Sequence, residues 1–512
     1  MSCYVPSFVW ARAACGRSCS LRRPGEAISD YSQLQTGRSK AALLGAIWSG
    51  LNALVPALVG AAVFTITSRA LDPAAFGLVA LAVTVTSFTS ILAPSGFGEA
   101  LVQRATVKEA HLDTVFWLCT AAGVLAVVLS FVVSIPVAEH LGQPLLLQLI
   151  PLVSTKVLFD MLAVTPMAVL TRRMSFHLVA VRTMIASVVA GAVCLTLLWA
   201  GWGLWALAAS QVAASAASSV GAFAGAKWMP KLRFSMSSLQ ELRRYGVFAS
   251  GTKVLGAVYP DQLLLGLLLG PFALGIFSFS RRIYQIFNDL IAGALGTVAH
   301  SFLSSLQTES EKVKDGFLLI TFLSSAVAFA LFGGIAVTAT ELIPTLFGKE
   351  WLSSVWSVRA FCLIGLMSSV GFVQAALINS QGHAKWWFFY QLSKQTVLVL
   401  AVIVSYRWGV SAVVWSMAVI SFAIWPFTVL KSAEVIDIRL WMYVRRFIAP
   451  LSACAAMIVA VTAMIHATSI DNDWLRLFSL IAVGGCCYVT VLFAMSYKTM
   501  LRLFDFIRNR RS

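Results

Sequence analysis

Residues 114–137 read TVFWLCTAAGVLAVVLSFVVSIPV, a run without a single charged side chain. About 20 apolar residues in a helix cross about 30 Å of hydrocarbon at 1.5 Å per residue. Lipid offers no partner to backbone N–H and C=O groups, so a spanning segment closes its hydrogen bonds internally as a helix, or between strands in a closed barrel. Barrel strands are about 10 residues long and alternate apolar with polar positions. This run is continuous and Leu/Ala/Val-rich, so it reads as a transmembrane helix.

Working outward, runs of the same kind recur at 41–67, 74–96, 145–170, 180–201, 203–225, 245–270, 273–304, 317–340, 354–378, 386–405, 409–430, 447–466 and 477–497. The expected fold class is therefore an all-α integral membrane protein with about fourteen spans. Composition agrees, with 59% hydrophobic and only 12% charged residues over 512 positions. No stretch is left for a soluble catalytic domain.

The formal charge of +17 raises the question of nucleic acid, and the placement of the basic residues answers it. Arg12, Arg22, Arg38, Arg172, Arg173, Arg182, Lys227, Lys231, Arg243, Arg244, Lys431, Arg445, Lys498 and Arg510 fall on one side of the alternating topology. The other side holds only Arg69, Lys349, Arg359, Arg407 and Arg476. A positive-inside bias of this kind places both termini in the cytoplasm and accounts for the basic composition without nucleic acid, leaving an anionic headgroup or substrate open. Residues 1–40 carry no apolar run of signal-peptide quality, so they read as a basic cytoplasmic extension or as the product of a misplaced start codon.

The chain repeats itself. LGAIWSG at 44–50 is answered by YGVFASG at 245–251, and DPAAFGLVALA at 72–82 by GPFALGIFSFS at 270–280. Pro73 and Pro271, and Gly77 and Gly275, take the same place in their helices. The expected organisation is a first six-helix lobe over 41–225, a basic linker over 226–244, a second six-helix lobe over 245–430, an additional helix pair over 447–497 and a basic tail over 498–512. In the linker, Trp228, Leu232, Phe234 and Leu239 read either as the apolar face of an interfacial helix or as part of a basic loop held by anionic lipid. Parallel membrane repeats place a substrate site between the halves.

Charge inside a span is costly and marks candidate sites. Lys156 and Asp160 share one helix face, where they neutralise each other or line a cavity. Lys253 and Asp261 lie about two turns apart in the seventh span, and Arg281, Arg282 and Asp289 in the eighth. Arg281 and Arg282 either pair with Asp261 or Asp289 to hold the bundle or, with Lys253 and Lys156, present cations to a diphosphate. No Gly-rich phosphate loop, no metal-spaced His/Cys set and no nucleophile elbow occurs, so no catalytic residue, metal or cofactor is expected. Cys15 and Cys19 lack a second ligand pair, the other cysteines read as small apolar residues, and the six histidines read as ordinary solvated side chains. Without an ATP site, transport needs an ion gradient or removal of product, and Asp160, Asp261 and Asp289 are the candidate proton or sodium carriers.

Residues 162–211, with Pro166, Leu170, Arg173, Met174 and Phe176 followed by Gly201, Gly203, Trp205, Ala206 and Leu207, resemble the polysaccharide transporter family. Asp261, Gly266, Gly270, Leu274, Gly275 and Ser278 resemble its second-lobe motif, with Phe277 standing where Tyr is usual. The resemblance is strongest to the branch that includes succinoglycan and colanic-acid exporters, Wzx-type flippases of the MOP superfamily. It implies the MOP, MATE-like fold and an undecaprenyl-diphosphate-linked oligosaccharide flipped across a bacterial inner membrane for exopolysaccharide or lipopolysaccharide synthesis. It further implies membrane lipids, a polysaccharide polymerase and a co-polymerase as partners, and a single chain as the working unit. Trp48, Trp415 and Trp425 are candidates for stacking on sugar rings, or for packing. The rival functions are a cation-coupled multidrug exporter of the same fold, which calls for an acidic cavity, a membrane polymerase or ligase, which calls for a long outer loop, and a lipid-regulated scaffold without transport.

Overall fold

Punctuating residues start and stop the helices. Asp72 accepts a hydrogen bond from the backbone N–H of Ala75 at 2.9 Å, and Pro73 takes the first helical position, where its missing N–H costs nothing. The computed structural model describes residue 52 and residues 54–292, 310–467 and 470–509. Its helices are α1 (Leu54–Ala70), α2 (Pro73–Thr89), α3 (Phe97–Gln103), α4 (Glu109–Leu141), α5 (Leu146–Arg172), α6 (Phe176–Trp199), α7 (Leu204–Ala226), α8 (Met236–Ala257) and α9 (Pro260–Ile291). They continue with α10 (Ser310–Phe347), α11 (Val355–Ser380), α12 (Ala384–Ser405), α13 (Val410–Val435), α14 (Leu440–Ala467) and α15 (Asp473–Asn509). No strand occurs among the described residues.

Eleven described segments are long and apolar enough to cross a membrane, and α1 and α2 are shorter apolar helices. The protein is a multi-pass membrane protein. Among the described residues these helices fall where the expected spans lie, with two differences. First, the seventh span is not one helix over 245–270. It is interrupted at Val258 and Tyr259, because Pro260 disfavours α geometry in the residue before it, and Tyr259 sits at φ −116° and ψ 82°. Lys253 and Asp261 consequently lie on different helices. Second, the linker is partly helical, since α8 already begins at Met236. Within it Leu232 and Phe234 are exposed as the interfacial reading expects, but Leu239 packs on a buried cluster and Trp228 stacks against Phe223 at 6.5 Å.

α9 is a hairpin rather than a rod. Gly270 adopts φ 80°, a conformation that an L side chain resists, and Pro271 follows. Asp261 and Arg281 are about 30 Å apart along a straight helix, yet their side chains meet at 2.7 Å. The first half of α9 completes the seventh span and the second half forms the eighth.

Buried apolar residues form one large cluster in the second half of the chain, centred on Phe317, Phe332, Trp351 and Tyr443, and a second around Leu81, Leu149, Phe277 and Val414. Contacts between early and late elements tie both ends of the bundle. Where α1 turns into α2, Arg69 donates to the carbonyls of Thr345 and Leu346, and the Trp351 indole donates to Ser68 O at 2.7 Å while stacking on Phe279 at 4.0 Å. At the opposite end Glu99 of α3 pairs with Lys253 of α8 at 3.1 Å, the Gly96 N–H donates to Ser250 Oγ at 3.0 Å, and Arg104 pairs with Glu241. His111 is buried, not solvated: its Nδ1 accepts from the Lys108 N–H at 3.1 Å, so Nε2 carries the proton it directs at Glu241, 3.0 Å away.

The extension over 1–40 with Cys15 and Cys19, the 44–50 segment with Trp48, residues 293–304 of the eighth span and the last three residues of the tail lie outside the described residues.

Candidate functional site

α5 carries no charge before its final Arg172 except where Lys156 and Asp160 fall one turn apart. The second half of α9 is likewise uncharged up to Arg281 and Arg282. These four side chains line one cavity of about 610 Å³ walled by α1, α2, α5, α6, α7 and α9. Gln211, Gln262 and Gln285 add neutral hydrogen-bonding groups, and Val59 and Val63 add apolar surface. Three cations face one carboxylate in this chamber.

The two arginines are held differently. Arg281 Nη1 donates to Asp261 Oδ2 at 2.7 Å, and its guanidinium lies over the Tyr259 ring, 4.4 Å from the centroid. The other Asp261 oxygen has no hydrogen-bond partner. Arg282 makes no ion pair within 4.0 Å among the described residues; Asp289, two turns further along α9, is the carboxylate whose field it feels. Its Nη2 passes so close to Gly60 that a Cβ there would sit 3.1 Å away, so the absence of a side chain on α1 makes room for the guanidinium. Arg282 thus presents a planar fork of donors suited to phosphate oxygens.

The chamber continues into neighbours. Asp160 also lines a cavity of about 660 Å³ with Arg182 and Lys253, and a smaller one of about 240 Å³ with Lys156 and Lys253. Arg281 also lines a cavity of about 440 Å³ on the second-half side, where Asp261 and Lys394 meet it. Charged side chains are thus shared between adjoining spaces through the bundle.

Of the seven candidate residues, Lys156, Asp160, Arg281 and Arg282 come together around the central chamber. Lys253 stands in the adjoining cavities, engaged by Glu99, and Asp261 holds Arg281. Asp289 is exposed and lines none of these cavities. Trp425 lines a further cavity of about 310 Å³, whereas Trp415 packs on the second apolar cluster.

Two intramembrane cations escape the sequence reading. Arg182 lies only two residues inside the span expected over 180–201 and is counted there as a cytoplasmic charge. α6 begins at Phe176, which carries Arg182 into the bundle beside Asp160. Lys394 lies within an expected span and passes unnoticed in the Trp-, Phe- and Gln-rich stretch WWFFYQLSKQ.

Long apolar helices around a charged internal chamber define a polytopic membrane transporter. The chain belongs to the family of polysaccharide biosynthesis proteins, which matches residues 66–356. It is 24% identical to the teichuronic acid biosynthesis protein TuaB of Bacillus subtilis over 91% of this chain and 98% of that protein. It is 23% identical to the succinoglycan biosynthesis transport protein ExoT of Rhizobium meliloti over 87% and 91% of the two chains. Among solved structures, the lipid II flippase MurJ in an inward closed conformation superposes with a TM-score of 0.69 over 90% of this chain and 100% of that one, at 12% identity. That likeness establishes the fold, which is also similar to that of a multidrug resistance MATE family transporter of the MOP superfamily, with a TM-score of 0.53 over 77% of this chain and 94% of that one at 14% identity.

Proposed function

We propose that this protein flips an oligosaccharide carried on a polyprenyl diphosphate, undecaprenyl diphosphate in the bacterial inner membrane, from the cytoplasmic to the outer leaflet by alternating access. The observation that carries this reading is the central chamber, where Arg282 stands without an ion pair among the described residues and Lys156 beside Asp160, amid glutamines, while Arg281 is held by Asp261. A diphosphate brings the negative charge that Arg282 lacks, and amide groups suit sugar hydroxyls. The lipid tail stays in the bilayer while the head group passes between two six-helix lobes, consistent with the repeat of Pro73 and Gly77 in Pro271 and Gly275. In this reading both termini are cytoplasmic, one chain suffices, and a polymerase and co-polymerase consume the product. Of the candidate coupling carboxylates Asp160, Asp261 and Asp289, Asp160 lines the chamber and is the one this reading assigns to a coupling cation, since Asp261 is engaged by Arg281. The family and the relatives are named for polysaccharide biosynthesis and transport, which supports the same reading. A cationic multidrug substrate is disfavoured by the surplus of positive charge in the chamber.

The test is deletion of the gene in its host, with mass spectrometry of lipid-linked intermediates and secreted polymer. Completed repeat units stranded on the inner leaflet, with polymer lost, support the flippase. Unchanged polymer with raised sensitivity to cationic drugs overturns it in favour of the multidrug exporter.

A further inference from the structure

The second half of the chain holds two adjoining cavities that a diphosphate site does not use. One, of about 440 Å³, touches Asp261 and Arg281 at its inner edge. The other, of about 310 Å³, reaches Asn288, Trp387 and Trp425. Tyr284, Ser368, Gln391 and Lys394 line both. Their sizes suit a small-molecule or sugar subsite.

Lys394 sits ten residues into α12. At 1.5 Å per residue that is about 15 Å, half of the roughly 30 Å hydrocarbon thickness, and too deep for its amine to reach a leaflet surface. No carboxylate lies within 4.0 Å of it among the described residues; Asp261, which lines the same cavity, is occupied by Arg281. Two further polar atoms of the lining residues, Trp425 Nε1 and Asn288 Oδ1, have no hydrogen-bond partner. A cation at mid-depth without a counter-ion is costly, and an arriving anion removes that cost.

The lining decides which anion. A diphosphate calls for several free cations, and here Arg281 is locked to Asp261, leaving one amine. A phospholipid headgroup lies at the wrong depth. A single negative charge surrounded by glutamine amides, hydroxyls and an indole N–H, beside the rings of Trp387 and Tyr390 at 5.4 Å from each other, matches a carboxylated sugar ring.

We propose that Lys394 receives the carboxylate of an acidic sugar within the translocated oligosaccharide, so that the second-half cavities select for anionic glycans. This rests on the lipid-linked oligosaccharide reading above and adds the substrate class.

The experiment measures binding to the purified full-length protein in detergent by isothermal titration calorimetry, with trigalacturonate, maltotriose and inorganic pyrophosphate as probes. Trigalacturonate is expected to bind at least about tenfold more tightly than maltotriose, and Lys394→Gln to lose that advantage while Lys394→Arg keeps most of it, as befits a charged hydrogen bond. Pyrophosphate binding is expected to fall with Arg282→Gln and to be unaltered by Lys394→Gln. Equal binding of the two trisaccharides, or trigalacturonate binding indifferent to Lys394→Gln, overturns the proposal. So does pyrophosphate binding that depends on Lys394 and not on Arg282. Trigalacturonate binding at Lys394 with no pyrophosphate binding anywhere counts against the diphosphate reading alone. Where Lys394→Gln does not fold, Trp425→Phe keeps the ring and removes the indole donor; it is expected to weaken trigalacturonate binding, and unchanged affinity in it counts against the site.

Discussion

Gly77 on α2 faces the carbonyl of Pro271, and Gly275 on α9 faces the carbonyl of Pro73, so the two helices exchange the same contact. A Cβ on either glycine would fall well inside the oxygen opposite. Reciprocal contacts of this kind arise where two copies of one element pack about a twofold axis. Here both copies belong to one chain, as its internal repeat implies, and small residues let two membrane helices approach closely.

Gly77→Ala and Gly275→Ala are therefore expected to destabilise the protein to a similar extent, by about 1–3 kcal/mol each as overpacking does. Gly334→Ala, at a position where a Cβ meets nothing within 4 Å, serves as the control. Thermal unfolding followed by size-exclusion chromatography in detergent reads the effect. A tolerated Gly77→Ala beside a damaging Gly275→Ala would break the equivalence.

The ion pair between Asp261 and Arg281 ties the two limbs of the α9 hairpin. Asp261→Asn leaves the guanidinium among buried groups without its counter-ion, a change that typically costs about 3–5 kcal/mol. The expected outcome is a sharp drop in folded yield and in transport, with partial recovery in the exchanged double variant Asp261→Arg/Arg281→Asp. Wild-type stability in Asp261→Asn would show that the pair does not hold the hairpin.

Much of this was legible in the sequence because lipid imposes strict rules. Charge-free runs such as 114–137 have to be helices, and a carboxylate such as Asp261 inside a span needs a partner, which restricted the choice to a few cations. Pro73 and Pro271 announced the repeat because the crossing requires the same residues from both copies. What stayed hidden depended on distant geometry. Glu99 meets Lys253 only because α3 and α8 adjoin, and nothing local to either residue signals it. Arg182 stands so near the start of its expected span that it reads as a cytoplasmic charge, and only the earlier start of α6 at Phe176 carries it into the bundle. Lys394 was present in the pattern, but its isolation from carboxylates shows only once the neighbouring helices surround it.

Glu241 makes stability at one end of the bundle depend on pH. The hydrogen bond from His111, and after it the Arg104 guanidinium, holds this carboxyl below its ordinary value of 4.5. A depressed carboxyl contributes stability that is fully present above its unfolded value and is lost as pH falls through the folded value. Melting temperature of the wild type relative to Glu241→Gln is thus expected to show a constant gap from pH 7 down to about 5, closing as the pH drops below the carboxylate's ordinary value. A gap that persists unchanged to pH 3, in melts monitored by intrinsic fluorescence, would remove Glu241 from this role.

The central chamber makes a graded prediction about its cations. Arg282 lacks an ion pair and has only the field of Asp289, so its fork is available to a phosphate. Lys156 stands beside Asp160 in the same space, and Lys253 is engaged by Glu99 in the next. Losing a charged hydrogen bond costs about 1.5–3 kcal/mol, which is about tenfold or more in affinity. Polymer export in a deletion strain complemented with single variants is expected to fall most in Arg282→Gln, less in Lys156→Gln and least in Lys253→Gln, at equal membrane abundance by immunoblot. Arg282→Lys keeps the charge and loses the fork, so it should lie between wild type and Arg282→Gln. If Lys253→Gln instead proves the most damaging while Arg282→Gln exports normally, the diphosphate is held in the cavities next to α8 and not in the central chamber.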